Sequence, residues 1–288
     1  MAAELQLHAL TETGPRALAV EAGSGNVHDL LERFPGGVYS ALRTFGHDRF
    51  LWLEEHLART ERSMAGLGWP RKLDRTRLCA ALDSLVRAYP GADARVRLDV
   101  LCEPFEVQDL RADMFIALSP FVPVPENFLR EGVTLDFAPH LHRRAPRIKT
   151  TDFVRERKPL PLGAQERYEH VLVDEEERVL ECSSANLAFF AGDELVTAGD
   201  GVLEGITLAV LLHLAPKLGF RVRRERVAVA EIARFDESFL SSSARGPVPV
   251  VRIGPAVLGD GKVGPRVRRL VDAYYDCAAR EAQRALGA

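Results

Sequence analysis

The stretch VPVPENFLREG, residues 122–132, constrains the chain more than any other. Pro123 and Pro125 withhold two backbone N–H groups and bias the residues before them towards extended backbone, and the charged run that follows closes on Gly132. Neither a long helix nor an interior strand passes through such a stretch. It is read as a linker over 123–132, between an N-terminal half at 1–122 and a C-terminal half at 133–288. At 288 residues the chain is long enough for two ordinary domains, each with its own core.

Both halves read as mixed helix and strand. In the first, GGVYSALRTF followed by GHDRFLWL predicts two strands around a turn at Gly46-His47-Asp48, that is, a hairpin. LEEHLARTERSMAGLG then places Leu53, Leu57, Met64 and Leu67 at helical spacing, with Glu54 and Glu55 in the first turn. A second stripe on that helix, Trp52, His56, Arg59 and Ser63, faces either solvent or a cleft. RTRLCAALDSLVRAY is a further amphipathic helix, and ARVRLDVLCE and DMFIALSPFV are strands. In the second half GVTLDFAP, HVLVDEEERVLE and NLAFFAGDELVTA are short strands. A helix over 207–219, the strand RVRRERVAV, a helix at AEIARFD, the segment ESFLSSSARGPVPVVRIG and a long C-terminal helix complete it. The fold class is α/β (α+β).

Charge and composition remove several functions. The net charge of −3, with 38 basic and 41 acidic residues interspersed, offers no continuous positive field for nucleic acid. No run approaches the roughly 18 apolar residues of a membrane span, and the first residues carry no leader pattern, so a soluble, cytoplasmic protein is expected. Four separated cysteines suit a reducing compartment and form no zinc or disulfide framework. GSGNVH at 23–28 and GDGKVG at 259–264 lack the remaining positions of nucleotide-binding loops and read as turns. His140 and His142 have no carboxylate or third histidine beside them, so no metal site is expected. Ser241-Ser242-Ser243 lacks the G-x-S-x-G frame of a nucleophile elbow.

Lys149 is the residue that stands out. The chain has five lysines against 33 arginines, and this one sits in RIKTTD. A neutral amine condenses with an aldehyde, which an always-protonated guanidinium cannot do, so Lys149 is a candidate Schiff-base lysine. If the aldehyde is pyridoxal phosphate, the site also needs a carboxylate for the ring nitrogen and a set of phosphate donors.

EEHLARTERS, RIKTTD, VLECSSANLAFF, LEGITLAVLLHLA and ESFLSSSARGPVPV occur in the order found in the fold-type IV pyridoxal-phosphate enzymes, and the chain resembles that family from about Gly36 to Gly264. The family includes branched-chain and D-amino acid aminotransferases and 4-amino-4-deoxychorismate lyase. The resemblance implies two α/β domains with the cofactor, pyridoxal 5′-phosphate, in the interdomain cleft, and a homodimer whose partner lends loops to the site. It implies that Lys149, counted with the larger C-terminal domain, bonds the cofactor and moves the substrate proton. It implies that Glu181 pairs with the pyridine nitrogen and that Arg59, Ile206, Thr207 and Ser243 hold the phosphate. Arg43, Arg97 and Ala244 match positions facing the substrate, although strand alternation alone leaves open which face Arg43 and Arg97 present. His56 is expected to be structural.

Two departures bear on the substrate. Many branched-chain enzymes carry a tyrosine shortly after the lysine, whose hydroxyl meets the cofactor O3′, where this chain has Asp152 and Phe153. ECSSANL also resembles the form seen in aminodeoxychorismate lyases. The expected activity is transamination between an aliphatic, branched-chain-type amino acid and a 2-oxo acid such as 2-oxoglutarate. The alternatives are the lyase, releasing pyruvate and p-aminobenzoate, and a catalytically silent binding protein of the same fold.

Overall fold

The computed structural model of the protein describes residues 4–20, 34–157 and 164–287. The turn expected at 23–28 lies outside them. Contacts divide the chain into two compact units. The first comprises Met1–Val122, Ile148–Arg155 and Ala278–Ala288, and the second Pro123–Arg147 and Glu156–Cys277. The segment that carries Lys149 thus packs with the first unit.

The first unit is built on a five-stranded antiparallel sheet. Its strands are β1 (Gln6–Thr11), β2 (Gly14–Leu18), β3 (Gly37–Arg43), β5 (Ala94–Val107) and β6 (Leu110–Pro120), in the order β2-β1-β6-β5-β3. One face packs against α1 (Leu53–Gly66) and α2 (Arg75–Ala88) through Val38, Leu42, Leu57, Met64, Leu78, Leu82, Val96 and Leu98. α2 is capped by Asp74, whose carboxylate accepts from the Arg77 amide at 3.0 Å. α1 has no side-chain cap and is held by its buried face, which carries Leu53, Leu57 and Met64 but also His56, Arg59, Thr60 and Ser63.

The local hairpin expected after Val38 reduces to a single bridge between Phe45 and Arg49. β3 pairs instead with β5, and the two-residue β4 (Arg49–Phe50) pairs with β16 (Gln283–Arg284) near the end of the chain. Helix α1 starts at Leu53, so too little chain remains after the turn for a second full strand.

The second unit carries a nine-stranded mixed sheet. Its strands are β7 (Val133–Phe137), β8 (Glu169–Val173), β9 (Val179–Cys182), β10 (Asn186–Ala191), β11 (Glu194–Thr197), β12 (Arg221–Arg224), β13 (Glu237–Ser242), β14 (Gly246–Ile253) and β15 (Ala256–Val257). Eight run in the order β12-β11-β10-β13-β14-β7-β8-β9, and β15 pairs with β14. Three helices accompany them: α3 (Glu126–Glu131), α5 (Ile206–Leu214) and α6 (Pro265–Glu281); α4 (Thr151–Arg157) follows Lys149. The expected linker contains α3, whose Phe128 packs edge-on to Tyr168 at 5.7 Å. The helix expected to run to residue 219 leaves α geometry after Leu214, because Pro216 cannot continue the ladder, and passes into a 3-10 turn. AEIARFD likewise forms a 3-10 turn, Val229–Arg234, rather than an α-helix.

Candidate active site

In the first unit the site grows from the free edge of β3. There Thr150 bridges Val38, the Tyr39 amide donates to the Lys149 carbonyl at 3.0 Å, and the Lys149 amide donates to Ser63 Oγ at 3.2 Å. Thr151 Oγ1 accepts from the Gly37 amide at 2.9 Å. Gly37 is required here, since a Cβ on it would lie 2.4 Å from the Val100 carbonyl oxygen. Lys149 is therefore fixed through its backbone, and its Nζ comes to rest 4.6 Å from the centre of the Tyr39 ring.

Strand alternation sends Tyr39 and Ser40 to opposite faces. On the helix face, Arg59 Nη2 donates to Ser40 Oγ at 3.1 Å, and Ser40 Oγ lies 3.0 Å from His56 Nδ1. The serine hydroxyl thus joins the guanidinium to the imidazole, since its oxygen can accept from arginine and still share a hydrogen bond with His56. Burial, with the charges of Arg59 and Lys149 adding to it, holds the His56 pKa well below the usual 6.5. The stripe His56, Arg59 and Ser63 is thus buried and polar rather than solvated.

On the opposite face the Arg97 guanidinium lies 4.5 Å from the same Tyr39 ring and forms a two-pronged pair with Asp99, at 2.8 and 2.7 Å. Both partners are buried. Arg43 lies on this face too, but at a distance along β3. Its guanidinium stacks on Phe45 and Phe121, 4.2 and 3.7 Å from the ring centres, and stands 3.9 Å from Asp93. The structure brings Lys149, Arg59 and Arg97 round Tyr39 and Ser40 and gives Arg43 an aromatic sandwich of its own. Phe153 is buried, and Asp152 pairs with Arg155 at 3.0 Å.

The second unit carries Glu181 at the end of β9, with 3 % of its surface exposed. Arg143 Nε donates to Oε1 at 2.8 Å, and Asn186 Nδ2 and the Leu203 amide donate to Oε2 at 3.1 and 3.3 Å. Asn186 also donates to the Leu203 carbonyl at 2.8 Å, tying the start of β10 to the loop before α5. That loop ends at Gly205, whose Cβ would fall 1.8 Å from Asn186 Oδ1, so only glycine lets the helix start here. Ile206 and Thr207 open α5, and Thr207 Oγ1 donates to Ser243 Oγ at 3.4 Å. Ser243 and Ala244 lie in the turn between β13 and β14, closed by the Arg245 amide to the Ser242 carbonyl at 3.2 Å. A hydroxyl pair beside a helix N-terminus is suited to an anion.

The sequence did not single out Tyr39, Arg143 or Asn186. Asn186 stood in the motif with Glu181, at the fixed offset that a short turn allows. Arg143 stood in HLHRR, weighed there only for its histidines. Tyr39 gave no signal beyond strand propensity. Among the described residues no group of three or more His, Cys, Asp or Glu could hold a metal, and no helix is long and apolar enough to cross a membrane.

The comparisons agree on the family. The model for amino-transferase class IV matches residues 37–253. A D-alanine aminotransferase of Listeria innocua is 25% identical over 264 residues, covering 87% of this chain and 90% of that one. A branched-chain-amino-acid aminotransferase-like protein of Arabidopsis thaliana is 33% identical over 105 residues, 36% of this chain but 19% of that protein. Among solved structures, the T.th. branched-chain amino acid aminotransferase with pyridoxamine 5′-phosphate superposes with a TM-score of 0.80, at 20% identity and 99% coverage of both chains. The fold is that of the fold-type IV aminotransferases, and the matched span takes in every site residue just described: the chain belongs to the class IV aminotransferases, a family of pyridoxal-phosphate-dependent transaminases.

Proposed function

We propose that the protein binds pyridoxal 5′-phosphate and transfers the amino group of an aliphatic, branched-chain-type amino acid to a 2-oxo acid, as a cytoplasmic homodimer. The observation that carries this reading is the setting of Lys149: a primary amine on a segment pinned through both its N–H and its carbonyl, with Nζ against Tyr39. The donor set fits the cofactor, with a buried carboxylate in Glu181, a guanidinium in Arg59, and the hydroxyls of Thr207 and Ser243 at a helix start. We assign Glu181 to the pyridine nitrogen, Arg59, Ile206, Thr207 and Ser243 to the phosphate, and Arg43, Arg97 and Ala244 to the substrate. Pyridoxal phosphate, when bound, supplies the aldehyde that takes the amino group and a ring that draws electrons from the substrate α-carbon.

Lys149 Nζ would hold the cofactor and would carry the proton taken from the substrate α-carbon. Glu181, a buried carboxylate already accepting three N–H bonds, would keep a proton on the pyridine nitrogen. His56, neutral and buried, adds no cation beside the amine. Arg97 arrives with its charge balanced by Asp99, which favours an uncharged substrate side chain over a second carboxylate.

The test is product analysis with pyridoxal phosphate, 2-oxoglutarate and a panel of L- and D-amino acids. Glutamate and a matching oxo acid, formed from leucine- or valine-type donors, are expected. Pyruvate and p-aminobenzoate from aminodeoxychorismate, with no transfer to 2-oxoglutarate, would move the assignment to the lyase.

A further inference from the structure

Glu169, at the start of β8, has no exposed surface, yet no role assigned above uses it. Its carboxylate accepts from Ser183 Oγ at 2.5 Å, from Ser184 Oγ, from the His170 amide at 3.1 Å and from Arg245 Nη2 at 3.0 Å. Arg245 donates in turn from Nε to Ser242 Oγ at 3.1 Å and from Nη2 to Ser184 Oγ at 2.7 Å, with its guanidinium 5.3 Å from the Tyr168 ring centre. Burial alone would raise the Glu169 carboxyl, but Arg245, the two serine hydroxyls and the His170 amide together hold it below its usual value.

A buried ion pair adds little stability over an apolar pair of equal size, so its presence calls for another explanation. The two ends of this network supply one. Arg245 belongs to the turn that carries Ser243 and Ala244, which it grips by side chain and backbone. Ser183 and Ser184 lie between Glu181 and Asn186 in the chain, and Asn186 donates to the Glu181 carboxylate. We propose that the Glu169–Arg245 pair is a positioning device that holds the Ser243–Ala244 turn in register with the Glu181 segment, so that phosphate donors and ring carboxylate are set at a fixed spacing. The inference rests on the reading that this site takes pyridoxal phosphate, and it makes Glu169 and Arg245 positioning residues.

The pair fixes the turn, so its loss weakens the grip on phosphate more than the grip on the ring. Full-length protein is titrated with pyridoxal phosphate and, separately, with pyridoxal, which lacks the phosphate, and the thermal midpoint of each cofactor-free variant is recorded. Glu169→Gln and Arg245→Met are expected to weaken pyridoxal phosphate binding about tenfold or more while changing pyridoxal binding less than about twofold. Arg245→Lys, which keeps the charge, recovers part of the loss. Ser242→Ala, which removes one tether and spares the ion pair, shows the same selectivity to a smaller degree and keeps the test alive if the other variants do not fold. Equal weakening of both ligands, in step with a lowered midpoint, or unchanged binding of both, overturns the proposal. Wild-type protein that takes up no pyridoxal phosphate overturns the underlying reading instead, and is told apart from the other outcomes by that control.

Discussion

Lys149 in the first unit and Glu181 in the second are held in opposite ways. Lys149 is pinned through its backbone, by Tyr39 and Ser63, and its neighbours are cations with their charges managed one by one. His56 is kept neutral, Arg59 donates to a serine, and Arg97 is balanced by Asp99. Glu181 is pinned through its side chain, with three N–H donors on its two oxygens. Its neighbour Glu169 is saturated in the same way. A backbone anchor leaves the chemistry of the amine to its surroundings, whereas a side-chain anchor fixes the position of the carboxylate oxygens. The difference suits the proposed roles, in which Lys149 exchanges partners and Glu181 does not.

The largest effect that could break this contrast is on stability. Glu181→Ala removes the buried carboxylate that pairs with Arg143, whose side chain is 7% exposed. Urea unfolding of the cofactor-free protein should lose about 3–5 kcal/mol. Lys149→Ala, whose backbone contacts persist, should lose less than about 1 kcal/mol. Similar losses in both variants would erase the distinction between the two anchors.

The pH dependence separates the regions next. The folded-state pKa of His56 is depressed, so above 6.5 it is neutral in both states and costs nothing. Below 6.5 the unfolded chain takes a proton that the fold refuses, and stability falls by up to about 1.4 kcal/mol per pH unit. Glu169, also depressed, contributes stability that is present above 4.5 and lost as the pH falls through its folded value. Unfolding followed from about pH 8 to about pH 4 should therefore show the histidine loss first, and His56→Gln should make the curve shallower between 6.5 and 4.5, leaving the part due to His8, whose pKa burial also lowers, while sparing the acid limb.

The smallest effect sharpens the account of specificity. Asp99→Asn leaves Arg97 beside Tyr39 without its carboxylate partner. KM for a donor with a side-chain carboxylate, such as glutamate, should fall by about three- to tenfold, with KM for leucine nearly unchanged. An equal change for both donors would remove Arg97 and Asp99 from substrate selection.

Local pattern made much of the first unit legible. Helices α1 and α2 declared themselves by apolar spacing, and β5 and β6 by runs of alternating and apolar residues. The hairpin did not, because β3 gains more by pairing with β5 along its whole length than by pairing with the two residues left before α1. Motif order pointed to Lys149, Arg59, Glu181, Thr207 and Ser243, since each belongs to a short stretch whose shape its neighbours set. Tyr39, Arg143, Asp99 and the Glu169–Arg245 pair remained hidden. Tyr39, Arg143 and the Glu169–Arg245 pair meet partners far along the chain, which no local periodicity encodes, and Asp99 meets Arg97 two residues away on one strand face, a spacing shared by every strand. The buried polar face of α1 was ambiguous for the same reason: His56 and Arg59 look like a solvated stripe until Ser40 is opposite them.

The most direct test of the central claim is the visible absorption of the purified protein titrated with pyridoxal phosphate, with Lys149→Ala and Glu181→Ala alongside. A protein-bound band is expected that is absent in Lys149→Ala, bleached by leucine- or valine-type amino acids, and shifted or weakened in Glu181→Ala. A band of equal strength in wild type and Lys149→Ala, or none in either, would contradict it.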